Sequence, residues 1–200
     1  MGHHARVAPE TDGTIPPPRR YLWMLRHAKA ATGSPGGDHA RPLTERGRRD
    51  AAALASRLTA GAGALAMVGP DGEDIPPPEL VVCSTAVRTT ETAALALTAP
   101  GGVAPEVRRE RAVYGASVPT ALGVLRELGD APPSVVLVGH NPTAFSLTWE
   151  LLDPTGGGRE RLEAHGFPTC TLAVVALPAA SWAEVELSTG RLCGVASPPY

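Results

Sequence analysis

Four apolar runs punctuate the chain, and three of them stop abruptly at polar or basic groups. They are "LWML" within "YLWMLRHAKA", "LVVCS", "SVVLVG" and "CTLAVVAL". Unbroken apolar runs of this length fit strands covered on both faces. Between them the period changes. "RPLTERGRRDAAALASRL" predicts a helix with Thr44 as N-cap and Leu54 and Leu58 one turn apart on its inner face. "TAVRTTETAALALT" predicts a second helix with Val87, Ala94 and Leu97 on or near one face. "SVPTALGVLRELG" predicts a third, capped by Ser117, with Leu122 and Leu125 inward and Gly129 at its end. In "TAFSLTWELL", Phe145, Trp149 and Leu152 have the spacing of a packed helical face. "PEVRRERAVYG" holds a short strand or extended segment, and "CTLAVVAL", "WAEVEL" and "RLCGVA" read as consecutive strands near the C-terminus.

Alternating strands and helices predict an α/β fold: a three-layer α/β/α sandwich around a mainly parallel sheet, with antiparallel strands at its C-terminal edge. In such sheets reactive groups gather at the carboxyl ends of the strands. Three polar clusters fall there: Arg26 and His27 after the first strand, Ser84 to Arg88 after the second, and Gly139, His140 and Asn141 after the fourth. Unrelated surface residues have no reason to collect at the same end of three strands.

Two hundred residues suit one domain, expected over residues 21–200 behind an N-terminal arm of residues 1–20. The formal net charge of -2 excludes a global field for nucleic acid or an anionic membrane, so any anion site must be built locally. Cys83, Cys170 and Cys193 lack CxxC spacing, which argues against a disulfide framework or structural zinc and points to the cytoplasm. No apolar run has membrane-spanning or signal-peptide length. Residues 59–78 form a long connection at the amino end of the sheet, read as a partner surface or a tolerated insertion.

Two arginines and two histidines around one concavity offer forked donors for phosphate oxygens and an imidazole nucleophile. Backbone N–H groups of helices starting near Thr85 and Pro142 add to them, with Pro142 suited to a first helical position. Carboxylates are scarce there, so no metal is expected, and no P-loop or GxSxG elbow is present. Cys83, with Arg88 a few residues on, offers a thiol nucleophile as a minor alternative to a buried strand-end cysteine.

"LRHAKA", "RPLTERG", "CSTAVRTTETA", "ERAVYGAS", "LVGHNP" and "FPTCTLAVV" stand in an order and spacing that resembles the histidine phosphatase superfamily, in its small phosphohistidine phosphatase branch. The resemblance covers Tyr21 to the C-terminus. It implies a phosphoglycerate-mutase-like fold and metal- and cofactor-independent hydrolysis through a phosphorylated histidine. His27 matches the nucleophile; Arg26, Arg88 and His140, with Asn141 beside them, match the phosphate pocket. Glu110 matches the place of a general acid in many relatives. The implied substrate is phosphohistidine in a protein partner, the alternative small phosphoesters such as sugar phosphates, and a non-catalytic phosphate-binding module is a third reading. His27 is expected to act neutral and His140 as a cation. His39 is expected to be a solvated loop residue, His165 to have no catalytic role, and Lys29 to steer anions at most.

Overall fold

The computed structural model describes residues 18–97, 105–130 and 132–200, so most of the expected N-terminal arm lies outside the described residues. Among the described residues there are six strands and five helices; the strands form one sheet: β1 (Arg20–Arg26), β2 (Leu80–Ser84), β3 (Glu106–Glu110), β4 (Ser134–Gly139), β5 (Leu172–Leu177) and β6 (Arg191–Ala196). Their order is β3-β2-β4-β1-β5-β6. β3, β2, β4 and β1 are parallel neighbours, while β5 and β6 add antiparallel strands. Five helices complete the layers: α1 (Glu45–Thr59), α2 (Val87–Ala96), α3 (Val118–Arg126), α4 (Thr143–Leu151) and α5 (Gly158–His165).

Side-chain alternation along β1 explains the two covered faces. Leu22 and Met24 pack with Leu122 and Leu125 of α3, Leu147 and Leu151 of α4 and Leu162 of α5. Tyr21, Trp23 and Leu25 pack on the other face with Leu54 and Leu58 of α1 and Ala93 and Ala96 of α2. The outermost strand, β3, is largely exposed and carries charge at four of its five positions, which guards an open edge against further pairing. Thr44 and Ser117 cap α1 and α3 as expected, their side chains accepting from the N–H groups of Gly47 and Thr120.

Several elements differ from the expectation. In α2 the buried face is Arg88, Thr89, Thr92, Ala93 and Ala96, with Ala94 exposed. Threonines count as core here because their hydroxyls are satisfied locally: Thr89 donates to the Ser84 carbonyl at 2.8 Å, and Thr92 donates to the Arg88 carbonyl at 2.6 Å. In α4 the inner residues are Ala144, Leu147, Thr148 and Leu151, whereas Phe145 and Trp149 are half-buried. Trp149 instead carries the Arg159 guanidinium 3.9 Å above its ring. Pro142 is the N-cap of α4, one place earlier than expected. "WAEVEL" is not a strand, because β5 pairs directly with β6. It contains a single 3-10 turn, Trp182–Glu184, which inserts the fully buried Trp182 into the core. Helix α5 was not anticipated, since "GRERLEAH" has one large apolar residue and no period.

The 59–78 connection does lie at the amino end of the sheet. Tyr21 donates to Glu73 at 2.7 Å, and Ser134, at the start of β4, donates to the Pro76 carbonyl at 2.8 Å. It buries Met67 and Ile75, and the Val68 N–H reaches the Cys193 carbonyl at the β6 edge. The connection is therefore part of the packed body.

Helix α1 is docked on the turn that follows β1. The Thr44 N–H and hydroxyl both donate to the Lys29 carbonyl, at 2.8 and 3.0 Å. A Cβ at Gly47 would lie 2.2 Å from that carbonyl oxygen. Gly47→Ala should therefore destabilise the fold by roughly 1–3 kcal/mol through overpacking, against a helix-propensity gain of up to about 1 kcal/mol. Urea denaturation tests this; unchanged or raised stability would contradict the close approach.

Candidate active site

Parallel register delivers the polar clusters to one place. Arg26 at the end of β1 lies opposite Gly139 at the end of β4, and Cys83 of β2 lies opposite Val138. The residues that follow meet above the sheet. The His27 N–H donates to the Gly139 carbonyl at 3.1 Å, and the His27 and His140 ring centroids are 5.2 Å apart. A pocket of about 400 Å³ is lined by Arg26, His27 and Lys29, by Asp38 and Arg41, by Arg88 and by His140, Asn141 and Thr169.

His27 is held in one tautomer. Its Nδ1 lies 2.7 Å from the Ala28 carbonyl, which can only accept, so Nδ1 carries the proton and Nε2 keeps its lone pair. The backbone around it is fastened from several sides. The Ala28 N–H donates to the Thr92 hydroxyl at 2.9 Å, the Arg26 N–H to the Thr171 carbonyl at 2.9 Å, and the Cys170 N–H to the His27 carbonyl at 3.1 Å. The Tyr200 hydroxyl donates in turn to the Cys170 carbonyl.

The guanidinium groups are aimed by protein acceptors. Arg26 donates through Nη1 to the Phe167 carbonyl at 2.6 Å, which also accepts from the Asn141 amide at 3.1 Å. Arg88, in the first turn of α2, donates to the Asp38 carbonyl at 2.7 Å and the Asp38 carboxylate at 3.0 Å. His140 Nε2 pairs with the Ser84 hydroxyl at 2.8 Å. Arg26 Nε, Arg88 Nε and His140 Nδ1 are buried with no partner among the described residues. Buried polar groups are costly to leave unpaired, and three within one pocket suit a polar ligand.

Burial dominates the electrostatics. It lowers the His27 pKa to about 4, with the Ala28 hydrogen bond opposing and Arg88 and Arg26 reinforcing it. Burial and Arg88 likewise lower that of His140 to about 3. His140 is therefore neutral near pH 7 in this structure, contrary to the expected cation; the cationic form is disfavoured by the same groups that surround His27. Burial also lowers the Arg26 pKa.

The remaining expected residues separate clearly. Glu110 does not line the pocket: its carboxylate caps the turn Arg111–Val113 by accepting from the Ala112 N–H at 3.1 Å, and pairs with Arg108 at 3.3 Å. Cys83 is fully buried, outside the pocket lining, and burial raises its pKa to about 12, which disfavours a thiolate. His39 is not solvated as expected; it reaches the Thr85 hydroxyl at 3.0 Å and packs edge-on against Tyr114. His165 bonds to Ser197, away from the pocket lining, and exposed Lys29 stands at the pocket. Sequence reasoning missed Asp38 and Arg41, which line the pocket, and Tyr114, which donates to Asp38 at 2.8 Å and meets His140 edge-on. The available signal was Asp38 three residues before Arg41, a spacing at which one turn brings the charges together, at 2.7 Å here.

The lowered histidine values fix a sign. An unfolded chain binds protons to these imidazoles at about pH 6.5 while the fold resists until about 4 for His27 and 3 for His140. Stability should be level above about pH 7 and decline as pH falls through 6.5. Urea midpoints at pH 7.5 and 5.5 measure this. A His27→Gln, His140→Gln double variant should flatten the decline; an equal decline in both proteins would contradict the assignment.

No protein-family model matches the chain. Protein Rv1276c of Mycobacterium tuberculosis, itself uncharacterized, is 33% identical over 172 residues, spanning 85% of this chain and 97% of the relative. The solved structure assigned as the phosphohistidine phosphatase SixA of Nakamurella multipartitia is 31% identical, with a TM-score of 0.72 over 91% of this chain and 98% of that one. Its counterpart from Agrobacterium tumefaciens is 30% identical, with a TM-score of 0.63 over 91% and 99%. With identity at this level over nearly whole chains and a phosphoglycerate-mutase-like sheet carrying the Arg-His and Gly-His strand ends, the chain belongs to the SixA-like branch of the histidine phosphatase superfamily and is a phosphatase.

Proposed function

We propose that the chain hydrolyses phosphohistidine in protein partners, with His27 as nucleophile and Arg26, Arg88, His140 and Asn141 as the phosphoryl-binding set. The observation that carries this reading is the lack of a usable acid: among the described residues, the one carboxylate lining the pocket is Asp38. The Tyr114 hydroxyl first, and then Arg41, hold that carboxyl well below the usual carboxylate range. Alkoxide leaving groups need a proton from a positioned acid. A phosphoimidazole protonated on its distal nitrogen departs as neutral imidazole and needs none.

His27 Nε2 attacks phosphorus, forming a new N–P bond, while the substrate P–N bond breaks and its electron pair stays on the leaving imidazole. Water then attacks the phosphorus held on His27; the N–P bond breaks with its electron pair returning to Nε2, and the water proton leaves with inorganic phosphate, which restores the neutral ring. A phosphoryl dianion draws a proton onto His140, which then donates to an equatorial oxygen beside the two arginines. The pocket lies open at the carboxyl end of the sheet, which suits a phosphate displayed on a protein surface.

Rapid quenching during turnover should trap an acid-labile, base-stable phosphoryl adduct, absent from His27→Asn. No adduct in the parent chain would reject the mechanism. Arg88→Ala should slow turnover roughly 100-fold, the cost of about 3 kcal/mol for one transition-state donor. Glu110→Gln should change kcat by less than about threefold for phosphohistidine and alkyl phosphates alike, as its carboxylate is engaged elsewhere. In competition, a phosphorylated histidine-containing protein should be consumed ahead of sugar phosphates; the reverse order would favour small phosphoesters.

A further inference from the structure

We propose that Asp38 is the internal counter-ion of the phosphate pocket, a positioning residue that holds the outer edge of Arg88 and competes with bound phosphate for its charge. The proposal rests on the reading of the pocket given above and adds a device for product release.

Asp38 gathers most of the polar groups on its side of the pocket. Its Oδ2 accepts from Arg88 Nη2 at 3.0 Å and from the Tyr114 hydroxyl at 2.8 Å. Its Oδ1 accepts from Arg41 Nε at 2.8 Å and pairs with Arg41 Nη2 at 2.7 Å. The backbone carbonyl of Asp38 takes Arg88 Nη1 at 2.7 Å. Four donors occupy the lone-pair positions of one carboxylate. Both terminal nitrogens of Arg88 are thereby fixed, which sets the orientation of its fork.

The two partners differ in their freedom. The Arg88 side chain is 6% exposed, while that of Asp38 is 54% exposed. Water can share the hydrogen bonds of the exposed carboxylate as an anion arrives, while the buried guanidinium stays in place beside it. Asp38 sits in the Asp38–Ala40 turn, on a loop closed at its base by the Ala30–Leu43 bridge and the Ala31 N–H to Pro42 carbonyl bond. The loop also touches the turn between β2 and α2 through the His39 to Thr85 contact. This anchoring keeps the carboxylate beside Arg88 as phosphate enters and leaves.

Opposite consequences follow for binding and for turnover. Arg26, Arg41, Arg88 and Lys29 around one pocket would retain inorganic phosphate strongly without an opposing charge. A fixed carboxylate beside Arg88 repels the product, yet the same carboxylate aims Arg88 for the transition state. Removing its charge should therefore tighten phosphate binding while slowing catalysis, a combination that a merely structural residue does not produce.

The experiment measures inorganic phosphate affinity by isothermal titration calorimetry, and kcat with p-nitrophenyl phosphate, in the parent chain, Asp38→Asn, Asp38→Ser and Asp38→Glu. In the two neutral variants the Kd for phosphate should fall about tenfold, as expected for one partly screened unit charge, and kcat should fall tenfold or more. Asp38→Glu, which keeps the charge, should hold the Kd within about threefold of the parent. Unchanged or weaker phosphate binding in the folded neutral variants, or an unchanged kcat, would overturn the proposal. His27 labelling in the parent chain is scored separately. A chain that labels on His27 but gains no phosphate affinity in Asp38→Asn loses the counter-ion role alone, whereas a chain that does not label loses the mechanism itself.

Discussion

Parallel pairing of β2, β4 and β1 in one register is the constraint on which the rest depends. Arg26 opposite Gly139 and Cys83 opposite Val138 make three strands end at one level. Because β4 lies between β1 and β2, His140 has Ser84 on one side and His27 on the other. A slip of one residue would reverse the facing of a whole strand, so the hydrophobic alternation that secures the two cores also secures the pocket. The pocket is thus held by the burial of Leu22, Trp23, Met24 and Leu25 as much as by any polar contact.

That placement creates an electrostatic problem which the pocket solves by neutrality. Two imidazoles, His27 buried and His140 half-buried, are packed among guanidinium groups, and charged rings would be costly there. Desolvation and the arginines keep both rings neutral, which is the form a nitrogen nucleophile needs. The permanent positive charge is left to arginines, whose ionisation survives burial and whose outer edges are held by the Phe167 carbonyl and Asp38. Charge is kept on the groups proposed to bind and removed from the group proposed to react.

How much of this was legible in the chain varies with the kind of interaction. Strands buried on both faces announce themselves as apolar runs, and the caps at Thr44 and Ser117 are side chains with one local task. The core pocket of Arg26, His27, Arg88 and His140 followed from strand ends alone. Helix α5 was not legible because one buried leucine gives no period. The face of α2 was misread because threonines that bond to their own backbone behave as apolar residues. Asp38 and Arg41 were missed because a loop shows no periodicity, and only folding brings Asp38 against Arg88, fifty positions away. Glu110 was drawn into the expected site by its motif, but a cap on its own turn depends on local backbone geometry that a motif does not describe.

His27, the proposed nucleophile, gains from being fixed before substrate arrives. The segment from Arg26 to Lys29 is fastened to β4 through Gly139, to the 168–171 turn through Cys170 and Thr171, to α2 through Thr92, and to α1 through Thr44. The bonds come from four different elements, so no single fluctuation loosens the ring. Attack on phosphorus then needs little rearrangement of the protein, and the interaction energy of the phosphoryl group can stabilise developing charge. A neutral ring makes this rigidity affordable, because little ionic hydration is lost when His27 is buried. Burial, tautomer and backbone fastening are therefore one adaptation: each would weaken the nucleophile without the other two, through a protonated ring, a misplaced lone pair or a wandering attack angle.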